Sequence, residues 1–105
     1  MIRVVFTQHH DIPAGFELRG HAGAGSAGND IVCAAVSSAV YMTANTVTEI
    51  LGVNAEIKEK NGYMKVIIPE EDRSRCEAVM AGLKLHLTAL AGQYPRNIHI
   101  SFTEV

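Results

Sequence analysis

Residues 2–7 alternate, with Ile2, Val4 and Phe6 facing one way and Arg3 and Thr7 the other, the period-2 pattern of a half-buried strand. His9 to Gly15 carries Asp, Pro and Gly and reads as a turn. Phe16 to Arg19 alternates again and predicts the return strand of a hairpin. The stretch from Gly20 to Asp30 is rich in Gly, Ala and Ser. With glycines at Gly20, Gly23, Gly25 and Gly28 it predicts a mobile loop rather than a strand or helix.

Asn29 or Asp30 can cap the segment that follows, and Ile31 to about Leu51 has no Pro or Gly. Its apolar residues fall on several faces, so this helix must be covered on more than one side, and Gly52 is placed to end it. Val53, Ala55 and Ile57 alternate with polar residues, Asn61-Gly62 is a two-residue hairpin signal, and Met64, Val66 and Ile68 alternate in turn. Pro69 opens a second helix, with Glu70, Glu71 and Asp72 at its positive end. Its stripe is Val79, Met80, Leu83, Leu87 and Leu90, and Gly92 and Pro95 end it. Ile98, Ile100 and Phe102 mark a last strand. The order ββαββαβ predicts an α+β fold, a single mixed or antiparallel sheet of about five strands packed with two long helices.

A length of 105 residues fits one domain over 1–105, and roughly 60–70% of the unfolded surface is buried at this size. A content of 48% hydrophobic and 19% charged residues excludes a disordered chain. The net charge is −2 and the basic residues are scattered along the sequence, so no direct nucleic-acid binding is expected. No run approaches the ~20 apolar residues of a membrane span, and MIRVVFTQHH holds no signal-peptide h-region, so a cytoplasmic location is expected. The small residues Ala39, Thr43 and Ala44 would let the first helix approach a second copy of the chain. Two cysteines, Cys33 and Cys76, are too few for a disulfide framework.

One constellation can carry chemistry. Gly20-His21-Ala22-Gly23 closes a strand, and Asp30-Ile31-Val32-Cys33 opens a helix. With Asp30 as N-cap, Cys33 takes the third helical position, where unpaired N–H groups and the helix dipole favour a thiolate. The same N–H groups are candidates for holding an oxyanion. Strand alternation puts His21 on the face of Glu17 and Arg19, away from the core, where it can act as a base. Ser37 lies one turn after Cys33, either touching the site or bonding back to its own helix. A buried packing cysteine and a surface histidine are the bland alternatives.

The residues Gly20-His21-Ala22-Gly23, followed by Gly28-Asn29-Asp30-Ile31-Val32-Cys33-Ala34-Ala35-Val36-Ser37, resemble the ribosomal-processing cysteine protease (Prp) family, and the length and element order fit it over the whole chain. The resemblance implies a cytoplasmic, homodimeric endopeptidase with no metal and no cofactor. Its partner would be a peptide substrate, the short N-terminal extension of the twenty-seventh protein of the large ribosomal subunit, cut after a Phe-rich motif. It assigns His21 as base, Cys33 as nucleophile, and Asp30 and Ser37 as supporting residues. A substrate loop of Gly20, Ala22, Gly23, Gly25 and Gly28 would order over peptide. One departure is Ala24, where the family usually carries an aromatic.

Other candidates carry less. His9 and His10 are adjacent and point apart, His86 and His99 are single, and no set completes a zinc site. Cys76, between Arg75 and Glu77, reads as partly exposed, and Glu70-Glu71-Asp72 as a helix start. A non-catalytic dimeric module that binds a peptide or ribosomal protein is the competing reading. A thiol redox protein ranks last, since no resolving cysteine is near.

Overall fold

The N-terminal hairpin is tighter than the sequence suggests. His10 and Asp11 take φ of 49° and 67°, as in the two-residue turn whose twist matches that of paired strands. Both strands therefore run to the turn, giving β1 (Ile2–His9) and β2 (Ile12–Arg19). The register slips between Thr7 and Gln8, opposite Pro13, and this bulge accommodates a residue with no N–H to give the ladder. The computed structural model describes residues 1–21 and 30–105. After the hairpin come α1 (Ile31–Asn45), a π-helical continuation (Thr46–Ile50), β3 (Glu56–Lys60), β4 (Tyr63–Ile67), a 3₁₀ turn (Glu70–Asp72), α2 (Arg73–Gln93) and β5 (Ile98–Glu104). The five strands form one sheet in the order β3-β4-β2-β1-β5. All neighbours are antiparallel except β1 and β5, which are parallel, so the sheet is mixed.

Both helices cover one face of the sheet. Ile2, Val4, Phe6, Phe16, Met64, Val66 and Ile98 point into the layer between, against Val32, Val36 and Val40 of α1 and Cys76, Met80, Leu83 and Leu87 of α2. Cys76 is fully buried, which corrects the expectation of partial exposure. Its charged neighbours lie off the stripe that repeats every three to four residues, and burial pushes its thiol pKa up. The 3₁₀ turn takes Glu70–Asp72, so α2 proper starts at Arg73 and runs through Gly92. The strand expected from Val53 begins only at Glu56: Val53 is buried, its N–H bonded to the Val47 carbonyl at 3.0 Å, and β3 is an exposed edge strand.

Ile31–Ile50 is long and apolar enough to cross a membrane by length and composition, with mean hydropathy 1.4, contrary to the sequence reading. In the fold its valine stripe is part of the core, so it packs as one of the two helices that cover the sheet. The π-helical end follows from its threonines. Thr43, Thr46 and Thr48 donate to the carbonyls of Ala39, Met42 and Ala44 at 2.9, 2.7 and 3.1 Å, competing with the backbone ladder. Leu51 N–H then reaches the Thr46 carbonyl, five residues back, at 2.9 Å. Gly52, with φ of 66°, ends the segment as expected.

On the open face of the sheet the Tyr63 hydroxyl donates to Glu17 at 2.9 Å, and Arg19 pairs with the same carboxylate at 3.3 Å. The Tyr63 bond, opposed by partial burial and helped by Arg19, holds the Glu17 pKa below its ordinary value. A carboxylate depressed in the folded state adds stability above its unfolded pKa, and that stability is lost as pH falls through the folded value. Glu17→Gln is expected to be less stable than the parent at pH 7, with the difference vanishing once Glu17 is protonated. Urea melts at pH 7 and at about pH 2 check this; an equal gap at both would refute it.

Candidate active site

The site forms where the end of β2, the start of α1 and the β3–β4 turn converge. Asp30 caps α1 as predicted: one carboxylate oxygen accepts from Val32 N–H and Cys33 N–H, both at 3.0 Å. Cys33 therefore stands in the first turn, half-buried, and is a thiol. The same geometry corrects the sequence reading of the oxyanion site. The N–H groups of Val32 and Cys33 already bond the Asp30 carboxylate, so those two donors are engaged in this arrangement. The positive end of the helix dipole still acts on the sulfur.

His21 does not follow the alternation of β2. Gly20 takes φ of 94°, and this left-handed residue breaks the strand rhythm after Arg19. The consequence corrects the expectation that His21 shares a face with Glu17 and Arg19. It is exposed, but it lines a cleft of about 370 Å³ on the helix side of the sheet together with Cys33, Ser37 and Val36. Backbone contacts fix that turn: Gly20 N–H donates to the Gly62 carbonyl at 2.8 Å. A Cβ on Gly20 would lie 2.4 Å from the Met1 carbonyl oxygen.

The imidazole rests on the β3–β4 turn. Gly62 has φ of 72°, and a Cβ there would stand 3.0 Å from His21 Nε2. Asn61-Gly62, read from sequence as a hairpin signal alone, is thus also the floor under the histidine. Two further lining residues had no sequence signal, Tyr41 on α1 and Glu59 on β3. The interaction with Glu59, with a smaller contribution from burial, raises the Tyr41 phenol above its ordinary pKa.

The predicted residues Gly20, His21, Cys33 and Ser37 thus border one cleft, with Asp30 directly beneath Cys33. Ala22, Gly23, Gly25 and Gly28 of the expected substrate loop, and Ala24, lie outside the described residues. Among the described residues no group of three or more His, Cys, Asp or Glu is arranged to hold a metal. A thiol at a helix N-terminus sharing a cleft with an imidazole suits nucleophilic acyl transfer.

A family model described as "Cysteine protease Prp" matches residues 1–99. The "Ribosomal processing cysteine protease Prp" of Bacillus subtilis is 29% identical over 108 residues, covering 96% of each chain. The structure of SMU.848 from Streptococcus mutans is 30% identical, with a TM-score of 0.83 over 100% of this chain and 96% of that one. The crystal structure of an essential ribosomal processing protease Prp from S. aureus, in complex with a covalently linked product peptide, shares the fold. Its TM-score is 0.91 at 21% identity, over 98% of this chain and 100% of that one.

Proposed function

This chain belongs to the Prp family of cysteine proteases, and from that premise we propose that it removes the short N-terminal extension of a large-subunit ribosomal protein, the twenty-seventh, cutting after a Phe-rich motif. The observation that supports this most is the shared cleft of His21 and Cys33, which joins a base to a helix-activated thiol. His21 takes the thiol proton, and Cys33 Sγ attacks the scissile carbonyl. The C–N bond breaks as His21 returns the proton to the leaving amine, leaving a thioester. Water, deprotonated by His21, attacks that thioester and releases the new carboxylate with the thiol regenerated.

Asp30 acts through the backbone. It fixes the first turn and so the position of the sulfur, while its charge opposes the thiolate and moderates the pull of the dipole. Ser37, one turn on, borders the substrate path. Leu18 lines the cleft half-buried, above a floor of the core residues Ile2, Val36, Val40 and Met64, and this apolar wall suits a Phe-rich segment. The substrate bound at S. aureus Prp is a peptide, as the names of two of its complexes state. The outer surface of the helices exposes Ile31, Met42 and Leu85 at 71, 63 and 74%. A homodimer through these helices would cover them. On this reading the enzyme works in the cytoplasm.

The test is mass spectrometry of the protein incubated with a synthetic peptide that carries the extension and a Phe-Phe-Ala sequence. Two product masses that define a cut after Phe are expected. An intact peptide, or cuts scattered without regard to Phe, would reject the substrate assignment.

A further inference from the structure

The basic residues that look scattered along the chain are gathered by the fold. Of the 9 Lys and Arg, five (Arg3, Arg19, Lys58, Lys60 and Lys65) fall on the face of the sheet opposite the helices. Of the 11 Asp and Glu, only Glu17 and Glu56 join them there. The chain is acidic as a whole, so this segregation leaves the sheet face positive and the helical side negative. No described element packs over this face.

Pairing places the charges in order. Lys60 lies opposite Tyr63, Tyr63 opposite Arg19, Arg19 opposite Arg3 and Arg3 opposite His99, one row across all five strands. Four strand intervals make that row about 19 Å long. Lys58 and Lys65, paired in the adjacent row, flank it. Within it the Arg19 guanidinium sits over the Tyr63 ring at 4.5 Å, and the Lys60 ammonium at 5.9 Å. An open sheet face with lysines around a guanidinium stacked on an aromatic ring offers point charges for phosphates and, in the 64% exposed Arg19, a planar group on which a base can stack. An acidic peptide would use the charges but not the planar groups.

We infer that the open face of the sheet is a docking surface for single-stranded RNA, tracked along the row Lys60–Tyr63–Arg19–Arg3–His99. The Lys60 end of the row adjoins the cleft, whose lining includes Lys60, Asn61 and Tyr63 together with His21. This surface stands on the charge row and does not depend on which peptide the enzyme cuts.

The experiment is fluorescence anisotropy of a fluorescein-labelled 20-nucleotide oligouridine titrated with the full chain at 50–300 mM salt. Binding at 50 mM salt is expected, with a slope of log K against log salt of about −3, as for four or five neutralised phosphates on a single strand. Arg3→Glu with Lys58→Glu, both outside the cleft, is expected to weaken binding at least about tenfold. The same pair should leave thermal unfolding and peptide cleavage near the parent values. No binding at 50 mM salt, affinity indifferent to the charge reversals, or polyglutamate competing as well as RNA would each overturn the inference.

Discussion

Cys33→Ser is expected to lower kcat/KM for the extension peptide by about 10⁴-fold or more while leaving the fold intact, and His21→Ala by about 10²–10⁴-fold. The serine hydroxyl is nearly the size of the thiol but ionises far less readily, so it is the poorer nucleophile under the same base. Cys33 is half-buried at the helix start and its replacement opens no cavity, so circular dichroism and the melting temperature should stay near the parent. Iodoacetamide labelling gives an independent reading. Cys33 should react at least about 10²-fold faster than Cys76, which is fully buried with its pKa pushed up, so that modification of Cys76 waits for local opening. Wild-type cleavage by Cys33→Ser, or equal labelling of both thiols, would remove Cys33 from the chemistry.

Gly20→Ala is expected to be the most damaging small substitution near the site. The backbone takes φ of 94°, where an L side chain costs about 1–2 kcal/mol. The new Cβ would also meet the Met1 carbonyl oxygen at 2.4 Å, and that atom is backbone and cannot swing aside. Together these predict a loss of about 3 kcal/mol, or a fall in Tm of roughly 10–20 °C for a domain of this size. Activity should fall further than stability explains, because relief at Gly20 re-aims His21. Gly62→Ala provides the contrast. Its Cβ would press on the imidazole at 3.0 Å from Nε2, and the turn must still hold φ of 72°. Activity should fall about tenfold or more with only about 1 kcal/mol lost. Differential scanning calorimetry beside kcat/KM separates the two; a Gly20→Ala protein that melts with the parent would contradict the close approach.

Much of this was legible from the chain because it was local. The alternation of β1, the cap at Asp30 and the third-position Cys33 depend on neighbours within a few residues, and the structure keeps them. The family resemblance rested on a similarly local run, residues 20–37. What was not legible depends on partners far away in sequence. Simple alternation sent His21 outward, and the left-handed Gly20, bonded to the Gly62 carbonyl and packed close to the Met1 carbonyl, turns it to the thiol side. The Asp30 bonds to Val32 and Cys33 follow from the cap itself, but their conflict with an oxyanion emerges only once the donors are counted. Tyr41 and Glu59 meet across the cleft from an apolar helix and an edge strand, and neither run marks them. The charge row is the plainest case. Arg3, Arg19 and Lys60 are strangers in sequence and neighbours only through the register of three separate ladders.

The parallel pairing of β1 with β5 has a consequence for how the enzyme comes into being. Ile2 lies opposite Ile98, so an inner strand of the sheet gains its second neighbour from a segment 96 residues downstream. Contacts this distant in sequence raise contact order, and their closure entropy is met before the pairing repays it. Until β5 has been made, β1 has one bare edge. A chain that lacks β5 therefore lacks the finished sheet on which the cleft of His21 and Cys33 is built.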